Sequence, residues 1–333
     1  MTVECSRPDP LRVLVLSGGP SAEREISLHS GQAVATALES IGHRVTPYDP
    51  RLEQLIGVEA RDFDVAFVAL HGRYGEDGEV QTQLEALGLP YTGSGPGASA
   101  LAFSKTAAKA RFLAHGVPTP GAVAFRVGES LREVVARATP LGFPVVVKPD
   151  RQGSSLGIRF AHTPEELAAA IAAALTFDSQ GLIEIAIAGE EWTVPLLDEE
   201  VLPPIRIGTP HAFFDYEAKY LREDTAYEFP ADVPLNRLAL IQETAQQAAR
   251  SLGVTSLSRV DLRVDPQGQP WVLEINTIPG LTDHSLAPKS AAHQGLTLAQ
   301  LCEEVCHRAM AIHCRNRPHR LGPPIPPKFR RAG

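Results

Sequence analysis

SRVDLRVDPQGQPWVLEIN, from Ser258 to Asn276, reads as two strands joined by a turn. Successive side chains of a strand point to opposite faces. Arg259, Asp261 and Arg263 therefore share one face, and Val260, Leu262 and Val264 share the other. DPQGQP is a turn, so WVLEIN returns antiparallel, with Asp261 facing Glu274 and Asn276. Three hard oxygen donors on adjacent strands suit Mg2+, which binds a few carboxylates and completes its shell with water and phosphate oxygens. A polar strand face open to water is the competing account of the same three residues.

A second stretch tilts the balance toward a site. VVVKPDRQGSSLG runs an apolar strand into Lys148 and then into a loop holding Gly153, Ser154, Ser155 and Gly157. A strand-end lysine beside a Gly/Ser loop offers phosphate oxygens a cation and free backbone N–H groups. No GxxxxGK[ST] is present, so this is not the Walker loop. HGRYGEDGEV places His71, Glu76 and Asp77 after the strand DVAFVAL, where α/β sheets bind ligands. SGGPSAEREIS places Glu23 at the start of a helix, where capping is the simpler account. GSGPGA formally fits the dinucleotide fingerprint. The strand before it is short and no acidic residue ends a strand ~20 residues later, so a turn into a helix is the better reading. Cys302 falls with Leu298, Leu301, Val305, Ala309 and Ile312 on one helical face and reads as core rather than as a zinc ligand.

Strands and helices alternate from LRVLVLSGG onward, as expected for βαβ units on a parallel sheet. The expected organisation is an α/β substrate-binding region over 1–104, a central region over 105–191 and a C-terminal region over 192–314. The C-terminal region carries a lid loop at 210–231. The basic, proline-rich segment 315–333 has no periodicity and is expected to be mobile. FFDYEAKYLREDTAYEFPA, aromatic and heavily charged, reads as that lid, since such loops often close active sites; a disordered insertion is the competing account.

The formal charge is −8, but six basic residues and no acids follow from Arg315 onward, so the body carries −14. An acidic body argues against nucleic acid as the main partner. The longest apolar helix run, Leu167 to Leu175, is far short of the ~20 residues that span a bilayer, so no membrane insertion is expected. MTVECSRPDP has no basic region leading into an apolar core, and four cysteines suggest no disulfide framework; the expected compartment is the cytoplasm.

In order and spacing, SGGPSAEREIS, HGRYGEDG, YTGSGPGASALAFSKT, VVVKPDRQGSSLG, FFDYEAKY, SRVDLRVD and LEINTIPGLTDHSL resemble the D-alanine–D-alanine ligases of the ATP-grasp superfamily. The resemblance runs from about Leu11 to Cys314. It implies a mixed α/β and α+β fold, with a Rossmann-like parallel-sheet region followed by a two-part ATP-grasp. It further implies that Lys105, Lys148 and Lys219 contact the ATP phosphates with Gly153, Ser154 and Ser155, and that Glu184, Ala186, Ile187 and Glu191 line the adenine and ribose pocket. Asp261, Glu274 and Asn276 would hold two Mg2+ ions, or Mn2+ in their place. Glu23 would anchor the ammonium of the first D-alanine, tied through Ser154 to Tyr220. His71, Ser285 and Leu286 would bind substrate, while Arg259 and the Gly280 N–H would stabilise an oxyanion. A homodimer is expected. Tyr220 favours a dipeptide product, because the related D-alanine–D-lactate ligases resemble histidine there. D-lactate or D-serine variants, another carboxylate–amine ligase, a dinucleotide-binding oxidoreductase built on GSGPGA, and a nucleotide-binding regulatory protein without turnover are the alternatives. Two positions depart from the family: Arg263 stands where an apolar residue is usual, and Ser256 where Gly or Ala is.

Overall fold

The computed structural model describes residues 10–52, 54–208 and 226–316. Lys219, Tyr220, residues 209–225 of the lid segment and the tail from 317 lie outside the described residues.

The chain opens with β1 (Arg12–Leu16), α1 (Arg24–Ser40), β2 (Arg44–Tyr48) and β3 (Val65–Val68). These three strands form the expected parallel sheet, in the order β2-β1-β3. After them come α2 (Glu79–Leu87), α3 (Pro96–Phe103) and α4 (Lys105–Ala114). GSGPGA is indeed a turn into a helix: Gly95 precedes α3 and Pro96 takes its first position.

The central region holds β4 (Ala122–Arg126), α5 (Leu131–Ala138), β5 (Val145–Pro149), β6 (Arg159–Ala161), α6 (Pro164–Ala174) and β7 (Gln180–Ile185). Its four strands form an antiparallel sheet ordered β4-β7-β5-β6. Thr163 caps α6 by accepting from the Glu166 N–H, while the Glu166 carboxylate reaches back to the N–H of His162 rather than of Thr163. Thr163 and Glu166 thus form a capping box whose carboxylate bond closes one residue before the N-cap instead of on it.

The remainder comprises β8 (Glu190–Leu197), β9 (Glu200–Val201), β10 (Ile205–Gly208), β11 (Ala226–Glu228), α7 (Leu235–Leu252), β12 (Leu257–Val264), β13 (Pro270–Asn276), α8 (Leu286–His293) and α9 (Leu298–Asn316). A second antiparallel sheet runs β11-β10-β8-β12-β13, with β9 beside β8. One of its faces is core: Trp192, Val194, Val260, Leu262, Val272 and Ile275 pack under α7 and under Phe112 of α4. The opposite face is left for chemistry.

Helix α9 returns to the first sheet. Leu301, Cys302, Val305 and Cys306 are buried with Leu11, Val13, Val15 and Phe67. At about 1.5–3 kcal/mol per large buried side chain, this face alone suffices to dock the helix. Burial pushes the Cys302 thiol up to about 12 and Cys306 well above its ordinary value, as suits inert core thiols. Cys314, by contrast, is disulfide-bonded.

Ser256, just ahead of β12, has φ +64°, a conformation that costs an L-residue about 1–2 kcal/mol. Its position explains its tolerance: buried Oγ accepts from the Gly93 N–H at 3.1 Å, and its own N–H donates to Asp198 at 2.7 Å. Ser256→Ala should therefore destabilise by about 1–3 kcal/mol, because the strain stays while Gly93 loses its acceptor. Ser256→Gly loses the same bond but relieves the strain, and should unfold nearer the parent. Thermal unfolding ranks the two; equal melting temperatures would contradict the account.

Candidate active site

Asp261 lies directly across from Glu274, and Arg259 across from Asn276. The register then shifts: Leu262 pairs with Val272, so Leu273 is an extra residue on β13. Such a bulge re-aims the side chains beyond it. It lets Val272 enter the core while Glu274 and Asn276 both emerge on the face that carries Asp261. Facing residues of paired strands place their Cβ atoms about 5 Å apart, close enough for two carboxylates to share a cation.

Both carboxylates already have protein cations. Arg259 grips Asp261 with two bonds of 2.8 and 2.7 Å, and Thr193 donates to the same carboxylate at 2.6 Å. Lys105 reaches Glu274 at 3.1 Å and also donates to the Gln152 carbonyl at 2.8 Å. Burial alone would depress the Lys105 ammonium, but Glu274 outweighs it and holds its pKa above the usual lysine value. Asn276 Oδ1 accepts from the Ile278 N–H at 2.9 Å, and a carboxamide oxygen keeps a second lone pair. Among the described residues no three His, Cys, Asp or Glu side chains form a metal cluster. The donor set is instead two carboxylates and a carboxamide, all hard oxygen ligands, which fits Mg2+ better than a transition metal.

A cavity of about 1290 Å3 opens beside this face. Glu23, His71, Lys105, Gly153, Ser154, Arg259, Glu274, Asn276, Gly280, Ser285 and Leu286 all line it, so segments far apart in sequence converge there. Asp261, Lys148, Glu184, Ala186, Ile187, Glu191 and Ser155 do not line it. Glu23 caps nothing with its side chain, which overturns the simpler account of that residue. It accepts a hydrogen bond from Ser154 Oγ across 131 residues. A Cβ on Gly153 would sit 2.7 Å from the Glu23 carboxylate, so a larger residue there would push that carboxylate out of its present position. Ser154 and Ser155 both have positive φ, at 49° and 60°. Two successive non-glycine residues in that region mark a backbone held in place by its surroundings, as ligand loops often are.

His71 is buried between Ser30 at 3.1 Å and Glu76 at 3.5 Å. Burial raises the Glu76 carboxyl pKa, an effect His71 opposes and Glu23 and Glu274 reinforce. Ser285 Oγ accepts from the Thr282 N–H at 3.1 Å, which ties the loop after Gly280 to the start of α8. Lys148 sits at the buried end of β5 and is ion-paired with Glu184. Glu184, 1% exposed, holds Lys148 rather than facing the cavity.

Sequence reasoning missed Lys109. It reaches Glu184 at 2.7 Å, Thr119 Oγ1 at 2.7 Å and the Pro120 carbonyl at 2.7 Å. One buried carboxylate thus serves two ammonium groups. The available signal was weak: Lys109 is one turn past Lys105 on α4, but a helical lysine is usually solvated. Thr193 and Gln152 were likewise passed over, and Glu76, although singled out in its motif, was not read as the partner of His71.

An α/β region beside two antiparallel sheets, one carrying the Gly/Ser loop and the other the carboxylate-bearing strand pair, defines an ATP-grasp fold. Family profiles described as the D-ala D-ala ligase C-terminus and N-terminus match residues 113–307 and 50–94. The chain belongs to the D-alanine–D-alanine ligase family. It is 46% identical to a D-alanine–D-alanine ligase of Ectopseudomonas mendocina, over 87% of this chain and 92% of that one. The figures for the Halorhodospira halophila D-alanine–D-alanine ligase are 46% identity, 91% and 98%. Among solved structures, a Bacillus anthracis D-alanine–D-alanine ligase complexed with ATP superposes with a TM-score of 0.82 at 30% identity, covering 92% of this chain and 99% of that one. A D-Ala:D-Ser ligase from Enterococcus faecalis gives 0.79 at 27% identity, with 90% and 100% covered. Among the described residues no helix is long and apolar enough to cross a membrane.

Proposed function

We propose that this chain joins two D-alanines into D-alanyl-D-alanine with ATP, supplying peptidoglycan precursor synthesis in the cytoplasm, and that it does so as a homodimer. The observation that carries the reading is the convergence of Glu23, the Gly153–Ser154 loop, Arg259, Glu274 and Asn276 on one cavity. We assign substrate binding to 1–104, the nucleotide to the cleft between 105–191 and 192–314, and closure to 210–231.

A carboxylate oxygen of the first D-alanine attacks the γ-phosphorus, the bond to ADP breaks, and an acyl phosphate forms. The amine of the second D-alanine attacks the acyl carbon, loses a proton, and inorganic phosphate departs. Glu23 anchors the first ammonium group, held by Ser154, to which Tyr220 couples the lid. His71 supports this wall of the substrate site; Ser285 and Leu286 meet the second carboxylate. Arg259 and the Gly280 N–H face the oxygen that gains charge on the acyl carbon, a donor role typically worth ~3–4 kcal/mol. Lys105, Lys148, Lys219 and the Gly153–Ser155 loop hold the phosphates. Glu184 acts through Lys148, and Ala186, Ile187 and Glu191 take the adenine and ribose. Asp261, Glu274 and Asn276 would hold two Mg2+, or Mn2+, which neutralise phosphate charge when bound. Lys105 and Arg259, now paired with those carboxylates, are then available to the anionic substrate.

The test is phosphate release with ATP and Mg2+, offering D-alanine, L-alanine, or D-alanine with D-lactate or D-serine. D-alanine alone should support turnover, and D-alanyl-D-alanine should exceed D-alanyl-D-lactate at neutral pH. No phosphate release with D-alanine would defeat the proposal; an excess of depsipeptide would defeat its second-substrate assignment.

A further inference from the structure

Arg263 takes no part in the chemistry above. It lies on the carboxylate-bearing face of β12, two residues beyond Asp261, where the family resemblance leads one to expect an apolar side chain. In the sheet register it pairs with Glu191 of β8. Its guanidinium reaches Glu191 Oε2 at 3.2 Å and donates to the Gly189 carbonyl at 2.8 Å. The side chain is only 20% exposed, and its Nε–H is buried without a hydrogen-bond partner. Gly189 itself is pressed onto the end of β12. Its φ is +119°, and a Cβ there would lie 2.1 Å from the Val264 carbonyl oxygen. A single side chain therefore holds both the backbone of the turn from β7 into β8 and the carboxylate of Glu191 at the start of β8.

That turn is the segment assigned above to adenine and ribose, and the inference rests on that assignment. We propose that Arg263 is a positioning residue for the nucleotide. By bridging the Glu191 carboxylate and the Gly189 carbonyl, it fixes the ribose end of the cleft and makes the chain prefer a ribonucleoside triphosphate to its 2′-deoxy analogue. Gripping Oε2 fixes the orientation of the Glu191 carboxylate. The planar guanidinium fork reaches two acceptors at once, whereas lysine is a point charge and does not replace that geometry.

The experiment compares the parent, Arg263→Met and Arg263→Lys as full-length proteins. KM and kcat are measured for ATP, for 2′-deoxyATP and for D-alanine. The parent should favour ATP in kcat/KM. Arg263→Met should raise the KM for ATP about tenfold, the scale of one charge-assisted hydrogen bond. Its kcat should change less, its KM for D-alanine should hold, and its preference for ATP over 2′-deoxyATP should shrink toward unity. Arg263→Lys should recover only part of both effects, and it is judged by the same two readouts if the methionine variant does not fold. A parental KM for ATP and an unchanged ribose preference in the variant overturn the proposal. So does a parent that does not distinguish the two nucleotides, or a D-alanine KM that rises in step with that for ATP. A parent that releases no phosphate with ATP and D-alanine instead defeats the ligase reading itself.

Discussion

Replacing Glu274 and Asn276 together with alanine should lower kcat/KM for dipeptide synthesis by about a thousandfold or more. Each tenfold loss corresponds to about 1.36 kcal/mol, and metal stabilisation of phosphoryl transfer is worth several kcal/mol. Two of the three oxygen donors on the open face of the sheet would be gone, leaving Asp261 already gripped by Arg259. The fold should survive. Neither side chain is core, and Lys105 keeps the Gln152 carbonyl after losing Glu274. The melting temperature should therefore move by a few degrees at most. Phosphate release, a Mg2+ titration and a thermal melt are the three measurements. Parental turnover in the double variant would remove the metal platform from the account, and an unfolded variant would show that these side chains are structural.

This strand pair shows what the sequence discloses and what it hides. Along β12 the alternation of Arg259, Asp261 and Arg263 with Val260, Leu262 and Val264 is written residue by residue, and the burial follows it. Along β13 strict alternation would put Val272 on the face of Glu274 and Asn276. The bulge at Leu273 sends Val272 inward instead, and nothing local in WVLEIN marks it. Hydrophobic period reports which residues want burial; it does not report where a ladder slips.

Partners at long range were equally hidden. The apolar face of α9 was legible as Leu301, Cys302 and Val305, but its docking on Val13 and Val15 depends on contacts nearly 300 residues apart in sequence. Ser154 was legible as a loop residue near phosphate, and its bond to Glu23 came only from the family resemblance. Lys109 had no sequence signature because the same residue on an exposed helix face looks identical. A cation's role depends on its burial, which composition does not carry.

That buried lysine sets the second large effect. Glu184→Ala would leave the ammonium groups of Lys109 and Lys148 facing one another without the carboxylate that both contact. Removing one partner of a buried ion pair costs about 3–5 kcal/mol, because the charge left behind is neither solvated nor compensated. At roughly 2–4 °C per kcal/mol the melting temperature should fall by about 10 °C. The pH dependence gives the loss a signature. Burial pushes the Lys109 ammonium below its ordinary value of 10.5, with Glu184 opposing the shift. Burial likewise pushes Glu184 up, but Lys148 and Lys109 outweigh it and hold the carboxyl low. Without Glu184 the lysine shift deepens, so the folded protein binds fewer protons than the unfolded chain below pH 10.5. Stability of the variant must then rise with pH across that window, since the unfolded state binds the extra proton. The deficit relative to the parent should accordingly narrow between neutral pH and about pH 10. Lys109→Met should cost less than Glu184→Ala, because it leaves Lys148 and Glu184 as a one-to-one pair. Adding Lys109→Met to Glu184→Ala should restore part of the lost stability by removing one of two like charges. A Glu184→Ala protein that melts with the parent, with no change in slope between pH 7 and 10, would mean that water reaches this site and that the carboxylate is not what keeps Lys109 charged.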